Sequence, residues 1–120
     1  MVYNYLIDLK TSSTTQVEDA AVVEAFLIEI ANKLGLTVLD KCSHKFTPQG
    51  LTSMLLLSES HLTIHTWPEN NFACVDILTC KGQIELSLIE QLFNSSSMGI
   101  SCENIQEVQR SSVHQVHSQS

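Results

Sequence analysis

Thirteen consecutive residues, Leu57–Glu69 (LSESHLTIHTWPE), hold two serines, two histidines, two carboxylates and the chain's one tryptophan. Ser60 lies between Glu59 and His61, and His65 follows it by five residues. A serine hydroxyl becomes a nucleophile when a base within hydrogen-bond reach takes its proton. The pair therefore raises a Ser-His hydrolase, against the plainer alternative of a histidine that serves structure. No Gly-x-Ser-x-Gly elbow and no evident oxyanion loop accompany it. The four cysteines, Cys42, Cys74, Cys80 and Cys102, form no CxxC pair and have no histidine at zinc-like spacing. No metal site is expected from them. They read as free thiols, and most buried thiols are inert small hydrophobes.

The elements that must position these residues follow from hydrophobic period. Val2–Leu9 carries Tyr3, Tyr5, Ile7 and Leu9 at period two, a first strand. Thr11–Gln16 offers Ser and Thr as helix caps. Ala20, Val23, Leu27, Ile30 and Leu34 then make one face of a helix from about Gln16 to Leu34, with Glu18 and Asp19 in its first turn. Gly35 is its stop. Leu36–Leu39 reads as a short strand and Asp40–Ser43 as a turn or irregular link. His44–Gly50 (HKFTPQG) ends in turn residues.

Leu51–Leu57 is an apolar strand. His61–Thr66 alternates, with Leu62, Ile64 and Thr66 on one face and His61, Thr63 and His65 on the other. Pro68–Asn71 is a turn, and Phe72–Cys80 alternates again. Ile84, Leu88 and Leu92 mark a second helix over Ile84–Phe93, and a last strand falls within Gly99–Val108. The order predicts an α+β fold: a two-layer sandwich of one antiparallel sheet with two helices on one face. The other sheet face would carry His61, Thr63, His65, Cys74, Asp76 and Cys80. Such a face is neither a core nor an ordinary solvated surface; it reads as a site or an interface.

The 120 residues suffice for one domain, 1–110, with a polar and disordered tail at 111–120. A hydrophobic fraction of 43% and a charged fraction of 16% suit a soluble protein, and no run approaches a membrane span. The N-terminus lacks the pattern of a signal peptide, so the cytoplasm is expected. A net charge of −7 argues against nucleic acid and is compatible with a cationic small molecule.

The whole string is far more specific than its parts. SESHLTIHTWPE followed by FACVDILTC, with HKFTPQGLTS upstream, resembles the self-processing, pyruvoyl-dependent S-adenosylmethionine decarboxylases of the bacterial and archaeal type. The likeness is dense from His44 to Cys80 and looser, in element order, on both sides.

That resemblance implies a proenzyme that cuts itself between Glu59 and Ser60. Ser60 would attack the Glu59 carbonyl, and its own remnant would become a pyruvoyl group heading the chain 60–120. His65 matches the histidine that takes the Ser60 α-proton, and Thr52 a hydroxyl that assists processing. The pyruvoyl carbonyl would take the substrate amine as a Schiff base and act as the electron sink for decarboxylation. Cys80 matches the proton donor to the resulting carbanion. Phe46 matches an aromatic that stacks on adenine, and Glu69 a carboxylate that holds the ribose hydroxyls. Trp67 is left as packing, and His61 as a neighbour without a role.

Members of the family pair as homodimers whose sheets face each other, giving a four-layer α-β-β-α arrangement with sites built by both protomers. The product would be the aminopropyl donor for spermidine synthesis. Two departures stand out. Tyr3-Asn4-Tyr5 occupies a position where many relatives carry Gly-x-His, and Ser53 one that is often Gly. Arginine or ornithine as substrate, or an unprocessed non-catalytic partner, remain the alternatives.

Overall fold

A computed structural model describes residues 1–12 and 16–111. The elements are β1 (Val2–Thr11), α1 (Ala20–Lys33), β2 (Val38–Lys45), β3 (Leu51–Leu57), β4 (Ser60–Trp67), a 3-10 turn (Pro68–Asn70), β5 (Phe72–Thr79), α2 (Leu86–Asn94) and β6 (Ile100–Arg110). The six strands form one sheet in the order β2-β3-β4-β5-β1-β6. Every neighbouring pair is antiparallel. The two-layer α+β expectation holds.

Period two explains which side of the sheet is covered. Leu51, Leu55 and Leu57 of β3, Leu62 and Ile64 of β4, Ala73, Val75 and Ile77 of β5, and Tyr5, Ile7 and Leu9 of β1 are all buried. Both helices pack on this face. α1 contributes Val23, Phe26, Leu27, Ile30 and Ala31, an i, i+3, i+4, i+7, i+8 stripe, and α2 contributes Ile89 and Phe93. Phe26 meets Phe93 edge to face at 5.7 Å, joining the helices. Each such buried side chain contributes about 1.5–3 kcal/mol. The other sheet face is open, as the alternation of His61, Thr63 and His65 against Leu62, Ile64 and Thr66 requires.

Several boundaries differ from the expectations. α1 starts at Ala20, four residues after Gln16, and its cap is Asp19, which accepts hydrogen bonds from Ala21 N and Val22 N at 3.0 and 3.2 Å. A carboxylate at N-cap satisfies donors that the helix leaves unpaired, so Glu18 and Asp19 precede the first turn. Asp40–Ser43 is not a turn: it lies inside β2, paired with β3. β2 is an edge strand with most side chains exposed, so it shows no alternation to read. β1 and β6 each run two residues beyond the expected ends. α2 begins at Leu86, because Ile84 N instead donates to the buried Tyr5 hydroxyl at 2.7 Å. Gly35 does follow the α1 C-cap, at φ +73°. Of the expected tail, residues 112–120 lie outside the described residues.

Candidate active site

β4 carries chemistry at both ends, and the two ends differ. At its start, Leu57 pairs with Ser60, so Ser58 and Glu59 alone turn the β3–β4 hairpin. Glu59 takes φ +56°, a left-handed conformation that costs a residue with a Cβ about 1–2 kcal/mol. The Glu59–Ser60 peptide thus follows directly on a strained residue. Ser60 is in phase with Leu62 and Ile64 and is buried. Its Oγ has no hydrogen-bond partner among the described residues. A buried hydroxyl without a partner is unfavourable and, as a nucleophile, unencumbered.

Cys80 follows β5 at the same end. Its thiol donates toward the Glu59 carbonyl oxygen at 3.5 Å and toward Glu59 Oε2 at 3.4 Å. Burial, and then the hydrogen bond and charge of Glu59, push this thiol above its ordinary value. It is therefore S–H rather than thiolate at neutral pH. Lys81 anchors the segment, with Nζ donating to Gly35 O at 2.8 Å and its backbone N to Thr79 Oγ1 at 3.1 Å.

At the far end, Thr52 and His65 are cross-strand partners, and Thr52 Oγ1 lies 2.8 Å from His65 Nδ1. Both line a cavity of about 290 Å³ together with Phe46, Gly50, Trp67 and Glu69. Gly50 has φ +105°, and a Cβ there would stand 3.2 Å from Thr66 O. Only glycine lets the turn close and present Phe46, whose N donates to Gly50 O at 2.9 Å. The His44 ring meets Phe46 edge-on at 4.7 Å, leaving Phe46 47% exposed. Glu69 sits in the 3-10 turn that ends at left-handed Asn71, φ +51°.

The sequence-predicted residues thus fall into two groups: Glu59, Ser60 and Cys80 together, and Phe46, Thr52, His65 and Glu69 together. Ser60 and His65 do not meet. Five residues of strand separate them, about 16 Å, and their side chains belong to opposite faces. That distance rules out Ser60 and His65 of one chain as a hydrolase pair.

Trp67, read from sequence as packing, is 40% exposed and lines the cavity, with its ring 6.2 Å from that of His65. Its outward phase, shared with His65 along the same strand, was the available signal. His61 also has a partner unforeseen from sequence. Its Nε2 lies 3.6 Å from Asp76 Oδ1, which accepts from Asn4 Nδ2 at 2.5 Å. Among the described residues no group of three or more His, Cys, Asp or Glu is placed to hold a metal. No described helix is long and apolar enough to cross a membrane.

Comparison with known proteins bears on this arrangement. Residues 3–111 match the family model described as S-adenosylmethionine decarboxylase. The chain is 41% identical over 78 residues to the S-adenosylmethionine decarboxylase proenzyme of Prochlorococcus marinus (strain MIT 9313), covering 65% of this chain and 62% of that one. It is 42% identical over 78 residues to the proenzyme of Clostridium botulinum (strain Loch Maree / Type A3), covering 65% and 67%. The match therefore spans a little under two thirds of the cyanobacterial relative's length. Among solved structures, the adenosylmethionine decarboxylase from Aquifex aeolicus VF5 superposes with a TM-score of 0.75 at 25% identity. That superposition covers 94% of this chain and 92% of the other.

Proposed function

This chain belongs to the S-adenosylmethionine decarboxylase family, and from that premise we propose that it is a proenzyme that cuts itself at Glu59–Ser60 and decarboxylates S-adenosylmethionine. The observation that carries the reading is the start of β4. A buried, unpartnered Ser60 Oγ follows a carbonyl that a protonated thiol already addresses, at a backbone position under strain.

Processing follows from these groups. Ser60 Oγ adds to the Glu59 carbonyl carbon, and negative charge builds on the oxygen that the Cys80 thiol faces. Collapse breaks the C–N bond, converting amide to ester and freeing the Ser60 amine. A base removes the Ser60 α-proton, and β-elimination expels the Glu59 carboxylate. The dehydroalanine left at position 60 takes up water and loses ammonia, leaving a pyruvoyl group. When formed, that group supplies the electron sink that no ordinary side chain provides. An orphaned buried hydroxyl with a hydrogen-bond donor on the preceding carbonyl fits its formation here.

His65 is the base, reached from a second copy of the chain. Its distance from Ser60 on its own strand supports a dimer in which the open sheet faces meet and His65 of the partner subunit approaches residue 60. That face is suited to cover by a copy: Leu6, Met54 and Leu56 are 39%, 44% and 56% exposed on it, beside Thr63 and the His61–Asp76 pair. The result is the four-layer α-β-β-α dimer. Thr52, through Nδ1, fixes the His65 ring so that Nε2 is free to accept the proton.

Phe46 and Trp67 offer ring faces to the adenine, and the Glu69 carboxylate suits a vicinal diol. Cys80, kept protonated, returns a proton to the substrate carbon after carbon dioxide leaves. The four free thiols suit a reducing compartment, the cytoplasm. Carbon dioxide release from separate incubations with S-adenosylmethionine, arginine and ornithine tests the substrate. Release from S-adenosylmethionine is expected; release from an amino acid alone refutes the assignment.

A further inference from the structure

Glu59 presents two acceptors to one thiol. The Cys80 Sγ lies 3.4 Å from the side-chain Oε2 and 3.5 Å from the backbone oxygen of the same residue. The single S–H proton is shared between the two acceptors, and the carboxylate, being charged, is the stronger anchor. We propose that the Glu59 side chain is a positioning residue for Cys80: its carboxylate holds the thiol against the 59–60 peptide and keeps it in the S–H form.

Both partners sit on constrained backbone. Glu59 occupies the second position of a two-residue turn, and the pairing of His61 with Leu78 brings that turn alongside the end of β5. Lys81, tied to Gly35 and Thr79, holds the chain on the far side of Cys80. Of the charged groups that act on the thiol, Glu59 raises its pKa and the N-terminal ammonium pulls weakly the other way; burial is the largest influence and also raises it. The consequence is chemical. In the uncut chain an S–H has a proton to share with the oxygen that becomes negative when Ser60 attacks. A thiolate would repel it.

The meaning of this link rests on the processing reading, but the link itself is measurable in a chain that cannot cut. The Ser60→Ala protein is alkylated with iodoacetamide across a pH series. Peptide mass mapping separates Cys80 from Cys42, Cys74 and Cys102. Adding Glu59→Gln, which keeps the shape and removes the charge, should lower the Cys80 midpoint. Well below both midpoints alkylation should run faster, by less than the gain in thiolate, because the more acidic thiolate is the weaker nucleophile. Glu59→Gly, comfortable at this φ, should move the midpoint the same way. An unchanged midpoint in either folded variant overturns the proposal. If the midpoints shift while the parent protein proves never to be cut, the thiol–carboxylate link stands and the processing reading fails.

Discussion

The start and the end of β4 are built on opposite plans. At the start, Ser60 is buried, the preceding residue is strained, and the contacts come from the hairpin tip and the end of β5. At the end, His65 is exposed beside an open, aromatic-lined cavity. The first arrangement suits a reaction of the chain upon itself, where substrate and nucleophile are covalently placed and effective concentration is already high. The second suits a ligand that arrives from solvent. Under the proposed function, their separation on one strand means that neither end completes the site alone.

Several substitutions would break or sharpen this contrast, and they are ordered by expected size. Ser60→Ala removes the nucleophile and should abolish both cleavage and activity, as read by intact mass and carbon dioxide release. Its fold should persist, because the loss is one buried unpartnered hydroxyl. His65→Ala should slow cleavage about 10²–10⁴-fold, the usual worth of a positioned base, and leave ester accumulating. If sites are shared between protomers, co-expressed Ser60→Ala and His65→Ala chains should recover part of the cutting. Recovery absent from a mixture that demonstrably forms heterodimers would place His65 and Ser60 of one chain together after all.

Glu69→Gln should raise KM about tenfold or more with little change in kcat, because a charged hydrogen bond is worth about 1.5–3 kcal/mol. Cleavage should be unaffected, since Glu69 belongs to the far end. Thr52→Val, which deprives His65 Nδ1 of its partner, should slow cleavage several-fold, less than loss of the ring itself.

The pH profile separates the ends as well. Cys80 titrates above its ordinary value of 9.0, and the form needed is the protonated one. Cleavage, the reaction of the uncut chain to which that direction belongs, should therefore persist as pH rises to that value and fall only beyond it. An alkaline limb below the ordinary thiol range would remove Cys80 as the proton donor.

Much of this was legible in the sequence because it is local. The alternation of β4 and β5 gave the two sheet faces correctly, and the run from His44 to Cys80 carried the family likeness. What failed was also physical. Most β2 side chains are exposed, so its ladder to β3 leaves no hydrophobic signature, and Asp40–Ser43 reads as a turn. The helix cap is Asp19 rather than an earlier Ser or Thr, its carboxylate accepting from Ala21 N and Val22 N. Trp67 looked like packing because a tryptophan in a strand usually is; only its outward phase and the cavity beside it say otherwise. The gap between Ser60 and His65 could have been read from strand rise alone. The proposed closure of that gap by a second copy uses the open face, which the alternation of β4 and β5 already marks as a site or an interface.

The central claim is that the Glu59–Ser60 bond is made to be broken by its own neighbours. Intact mass of the purified protein tests it most directly. Two chains, 1–59 and 60–120, are expected, the second lighter by one ammonia than a fragment with a free serine terminus. A single uncut chain of 120 residues, or a cut chain that still begins with serine, would contradict it.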